Sequence, residues 1–69
     1  MTDEESSAGR VEIGYEYGVR AIPFSEFSHV GVATMNEMGQ HGWHVFHLHE
    51  VLLNGEPTMM IYMSRKLWA

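Results

Sequence analysis

The stretch Met35-Asn36-Glu37-Met38-Gly39-Gln40-His41-Gly42-Trp43-His44-Val45-Phe46 constrains the fold more than any other part of this chain. It reads as the end of an amphipathic helix, a glycine exit and the entry into a buried strand. Gly42 fits the left-handed position just after a helix end, a conformation costly for any residue with a Cβ. Gly39 then falls inside the last turn or forms an earlier stop. Upstream, Phe24, Phe27, Gly31, Met35 and Met38 recur at helical spacing and form one stripe. Ser25 is the expected N-cap, with Glu26 near the positive end of the helix dipole. Val30, Gly31, Val32 and Thr34 are poor helix formers. The helix is therefore expected to depend on packing against a sheet, with Gly31 where it crosses closest to a strand.

Strands flank this helix. From Arg10 to Ile22 the chain alternates, with Val11, Ile13, Tyr15, Tyr17, Val19 and Ala21 on one face and Glu12, Gly14, Glu16, Gly18 and Arg20 on the other. Period two with β-branched and aromatic residues predicts a half-buried strand. Gly14 and Gly18 then lie on its outer face, where a neighbouring backbone can approach or the strand can bend. Pro23, which has no amide donor, ends it. Trp43 to Leu53 and Thr58 to Leu67 are two further strands, and Asn54-Gly55 between them is a strong two-residue hairpin signal. That loop sets the register, pairing Leu53 with Glu56, Glu50 with Met59, Leu48 with Ile61 and Phe46 with Met63. On the reverse face His49 meets Met60, His47 meets Tyr62 and Val45 meets Ser64. The first face is the more apolar and is expected to take the helix.

The order is β-α-β-β, so the predicted fold class is α+β. A two-layer arrangement places one helix on one face of a three-stranded antiparallel sheet. A right-handed crossover that skips one position gives strand order 2-3-1; adjacency of the first two strands is the alternative. Residues 1–9 carry Asp3, Glu4 and Glu5 and no large apolar residue after Met1, the composition of a disordered acidic tail. Residues 10–69 form the single expected domain.

The reverse sheet face is more apolar than a solvated face should be. It is expected to carry Trp43, Val45, His47, His49, Val51, Met60 and Tyr62, residues of the kind enriched in interface cores. A chain of 69 residues is marginal alone and usually adds disulfides, a structural metal or self-association. There is no cysteine, so disulfides and thiolate zinc sites are excluded. Self-association is the expected support. His44, His47 and His49 form H-x-x-H-x-H on one strand. His47 and His49 share a face as two metal ligands do, but His44 points the other way in a regular strand, and no metal site is expected. The histidines are read as packers at an interface, whose protonation near pH 6 would weaken association.

Other functions find little support. With no cysteine, its only aspartate in the tail and no phosphate loop or dinucleotide pattern, the chain is not expected to be an enzyme or to hold a cofactor. Outside the tail, six acids face Arg10, Arg20, Arg65 and Lys66, a net charge of −2 that disfavours nucleic acid. No apolar run reaches the length of a membrane span, and the chain reads as cytoplasmic.

The pattern M-N-E-M-G-Q-H-G-W-H-V-F resembles the leucine-N-x-leucine-G-x-E-G-W-E-leucine-valine signature of a family of short bacterial and phage proteins, domain of unknown function 4177. Tyr15-Glu16-Tyr17-Gly18-Val19 matches the family's Y-x-Y-x-V opening, and Met60-Ile61-Tyr62-Met63-Ser64-Arg65 resembles its last strand. His41 and His44 stand where the family has glutamates. The resemblance covers most of residues 15 to 66. It implies one strand, one helix and a closing hairpin, and a phage or mobile-element accessory role in a host cytoplasm. It transfers no catalytic residue.

The expected function is thus a non-enzymatic homo-oligomeric module that binds or inhibits a host protein. One alternative is an oligomer that sequesters a small anionic ligand such as a signalling nucleotide, held by Arg10, Arg20, Arg65 or Lys66. A structural subunit of a larger assembly is the other.

Overall fold

A computed structural model describes residues 11–69; the acidic tail expected over residues 1–9, and Arg10, lie outside the described residues. Strand β1 spans Glu12–Pro23. A continuous helical segment over 24–40, here α1, follows. It opens as a 3-10 turn at Phe24–Glu26, widens to a π-helix at Phe27–Gly31 and settles into an α-helix at Val32–Gln40. Strands β2, His44–Leu53, and β3, Glu56–Trp68, close the chain as a hairpin. β3 is central and antiparallel to both neighbours, so the sheet order is β1-β3-β2, the expected 2-3-1 arrangement.

Two local signals place these elements. At the hairpin, Asn54 has φ 53° and Gly55 φ 79°, the paired left-handed conformations that a two-residue turn between twisted strands requires. At the end of α1, Gly42 has φ 88°. Its amide donates to the Gly39 carbonyl at 3.0 Å, and the Trp43 amide donates to the Met38 carbonyl at 3.1 Å. These two bonds form a Schellman cap, which satisfies carbonyls left without an intrahelical partner and turns the chain sharply. Gly39 lies inside the last turn. Ser25 does not cap the helix as expected: the segment begins directly after Pro23, with no side-chain cap bond, and Ser25 is already within its first turn.

The core is small. Ile22, Ile61 and Met63 are its buried hydrophobic residues, and Phe27, Met35, Met38 and Trp43 pack against them. Phe24, the other member of the expected stripe, is 48% exposed. It precedes the π-turn, which shifts the helical phase by a residue. Gly31 is buried, as a close approach demands, but the neighbour is different from the one expected. A Cβ there would stand 2.5 Å from Cδ1 of Phe27, on the same helix, and not against a strand.

The faces of β1 are reversed relative to expectation. Gly18 pairs with buried Met63, and a Cβ at Gly18 would lie 3.4 Å from the Trp43 ring. Gly18 therefore looks towards the helix side, where the indole and Met63 take the space a side chain would fill; a Cβ at Gly14 would meet nothing within 4 Å. Tyr15, Tyr17 and Val19 consequently project from the uncovered side, with Tyr17 70% exposed.

The two helix glycines give opposite predictions. Gly31→Ala drives a methyl group into the Phe27 ring and lowers stability by about 1–3 kcal/mol, more than the ~1 kcal/mol gained in helix propensity. At Gly39, with nothing within 4 Å of a Cβ, Gly39→Ala raises stability by up to about 1 kcal/mol. Urea midpoints of the two variants, moving in opposite directions from the parent, check this; a common direction contradicts it.

Candidate functional site

The side of the sheet away from α1 has no layer over it. Its character is set by a β-bulge at Phe46. From Leu53–Glu56 to His47–Tyr62 the hairpin keeps the expected register, and then it slips by one, so that Val45 pairs with Met63 and His44 with Ser64. The cause lies at the two ends of the segment. The Schellman cap commits Trp43 to the helix side, while Leu48, paired with buried Ile61, is on that same side. Residues 43 and 48 are an odd number apart, so a regular strand would put them on opposite faces. One extra residue resolves the conflict.

The bulge changes the composition of the open face. His47, His49, Val51, Met60 and Tyr62 lie on it as expected, in register with one another across β2 and β3. Trp43 and Val45 do not: they are on the helix side, Trp43 in the core cluster and Val45 opposite Met63. Phe46 takes their place. It is 60% exposed and meets Tyr17 edge-to-face at 6.2 Å. His44 also moves to the open face, opposite Ser64, contrary to the expectation that it points away from His47. His47 lies between His49, with ring centroids 5.9 Å apart and planes 22° from parallel, and Tyr62, at 5.6 Å. The centre of the face is thus aromatic, aliphatic and imidazole. Its charged groups are at the ends, Lys66 beside Glu12 at 3.7 Å and Glu56 at the hairpin.

Of the four cations expected for an anionic ligand, Arg65 and Lys66 border a common cleft and Arg20 does not. Arg65 and Lys66 are consecutive on β3 and project to opposite faces, Arg20 pairs with Ile61 on the helix side, and Arg10 is outside the described residues. Arg65 is engaged on three sides: its guanidinium donates to Glu16 and to the His41 carbonyl and lies 4.6 Å over the Trp43 ring. The cleft, open and of about 860 Å³, runs beside this end of the sheet and is lined by Tyr15, Glu16, His44, Arg65, Lys66 and Trp68 among others. Among the described residues, no group of three or more His, Cys, Asp or Glu is placed to hold a metal ion.

No protein-family model matches the chain, and no curated protein or solved structure matches it either. Function is accordingly read from geometry. Phe46 and Tyr17 are the site residues that sequence reasoning missed. The signal for the first was the parity clash between Trp43 and Leu48. For the second it was Gly18, the only small residue on β1 in register with Met63.

Arg65 holds the helix exit to β3, which gives a test. Arg65→Lys loses the planar stack on Trp43 and the forked contact to Glu16 and the His41 carbonyl. Because the pair is more than a third exposed, the cost is held to about 1 kcal/mol. Lys66→Met, at the neighbouring surface pair, changes stability by less than about 0.5 kcal/mol. Denaturation followed by tryptophan fluorescence checks the ranking; equal effects contradict it.

Proposed function

We propose that the protein is a small non-enzymatic binding module that self-associates through its open sheet face. The observation that carries this reading is the cluster of exposed Tyr17, Phe46 and His47 with half-buried Met60 and Tyr62, in a chain whose described residues include only three buried hydrophobic ones. A three-strand face ten residues long measures roughly 450 Å² in plan. That is at the upper end of the roughly 300–600 Å² apolar patch of a typical monomer and suits one side of a modest interface. A second copy is the occupant the chemistry favours. The centre of the face carries no carboxylate or ammonium, so it can lie against itself without like-charge repulsion, and its charges sit at the rim.

The resemblance of Asn36, Gly39, Gly42 and Trp43 to the phage family signature supports an accessory role in a host cytoplasm, with the assembly presenting its strand edges to a host protein. No helix among the described residues is long and apolar enough to cross a membrane. The second reading, a sequestering oligomer for a small anion, is favoured by one feature, the cleft where Tyr15 and Trp68 accompany Lys66. It requires a partner copy to add cations, because Lys66 and Arg65 already face Glu12 and Glu16.

Sedimentation velocity tests the main reading. The parent chain is expected to be a dimer or larger at concentrations on the order of 10 μM. Phe46→Asp, a change at an exposed position outside the core, is expected to yield a folded monomer. A parent chain that is monomeric at about 100 μM overturns the reading.

A further inference from the structure

We infer that His47, His49 and Met60 form a soft-metal site selective for Cu(I), built within one chain on the open face. Residues two apart on a strand are about 6.7 Å apart on one face, within reach of two imidazoles that close on a single ion. His47 and His49 already stand in this relation, with near-parallel rings at 5.9 Å. Met60 is directly opposite His49 on β3. Cross-strand partners have Cβ atoms about 5 Å apart, and the flexible thioether of methionine spans such a gap. The donor set is two imidazoles and one thioether.

The choice of metal follows from softness and charge. Thioether ligands select Cu(I), and imidazole binds it as well as zinc or Cu(II). Carboxylates, which hard cations such as calcium and magnesium require, are remote. Glu50 pairs with Met59 on the opposite face, and Glu56 lies at the hairpin, two rungs beyond the Met60 position. An uncharged donor set on an apolar face favours the ion of lowest charge, because desolvation and uncompensated charge cost least there. Both histidines are exposed in the single chain, so the ion has access before a second copy covers the face. His44 occupies the next rung beyond His47, but its cross-strand partner is Ser64, which supplies no soft donor. Met60 therefore singles out the 47–49 pair over the 44–47 pair. The site needs no second copy.

The test is Cu(I) titration of the full chain under anaerobic, reducing conditions against a chromogenic Cu(I) chelator, with circular dichroism of each variant to confirm folding. One Cu(I) per chain is expected, with X-ray absorption showing nitrogen and one sulfur in the shell. His47→Ala and His49→Ala are each expected to lose binding. Met60→Leu, which keeps side-chain volume, is expected to weaken Cu(I) by at least about tenfold while leaving Zn(II) affinity unchanged. His44→Ala and Met59→Leu are expected to match the parent. No Cu(I) binding, a shell without sulfur, or a folded Met60→Leu chain with parental Cu(I) affinity overturns the inference.

Discussion

The structure depends on where Trp43 is held. The Schellman cap fixes its amide to the Met38 carbonyl, and its ring lies against Gly18 and beneath the Arg65 guanidinium. One side chain thereby joins the helix end to the two strands that pair along most of the sheet. A domain of this size buries few residues, and among the described residues only Ile22, Ile61 and Met63 are buried hydrophobic ones. The half-buried indole at the helix exit joins Phe27, Met35 and Met38 in tying the layers together.

That placement propagates outward. With the indole on the helix side, Gly18 must face it, and the alternation of β1 then sends Tyr15, Tyr17 and Val19 to the open side. With Leu48 also committed to the helix side, β2 must absorb an odd spacing, and it does so by the bulge that delivers Phe46 to the same open side. The apolar excess of that face is therefore a consequence of packing one aromatic residue well, and the histidine ladder shares its origin. Without the register slip His44 would be on the far side from His47.

What could be read from residues alone was whatever local chemistry decides. Asn54-Gly55 determined the hairpin and its first seven pairs and Gly42 the helix exit, while the β-α-β-β order leaves two strand orders, of which the structure has the one with the last strand central. Sidedness was less legible. Alternation in β1 separates two faces but does not say which is covered, and the apolar one was assigned inward because burial of apolar residues is the usual outcome. Here a single narrow helix needs Gly18 beneath its exit more than it needs a tyrosine there. The bulge was harder still, since it reconciles two tertiary commitments, Trp43 and Leu48, that no short window contains together. The same error moved Trp43 and Val45 onto the wrong side of the site while leaving His47, His49, Val51, Met60 and Tyr62 where the hairpin register put them. The π-turn at Phe27–Gly31 had no local signal beyond a weak helix centre.

The central claim is that another copy of this chain covers the face carrying Tyr17, Phe46 and Tyr62. Isotope-filtered nuclear Overhauser spectroscopy on a mixture of labelled and unlabelled chains reports contacts between copies and no others. The account predicts cross-peaks from the aromatic protons of these three residues to the partner copy, and none from Met63 or Ile61. Intermolecular cross-peaks confined to the helix side, or none at all with the three rings open to solvent paramagnetic probes, would contradict it.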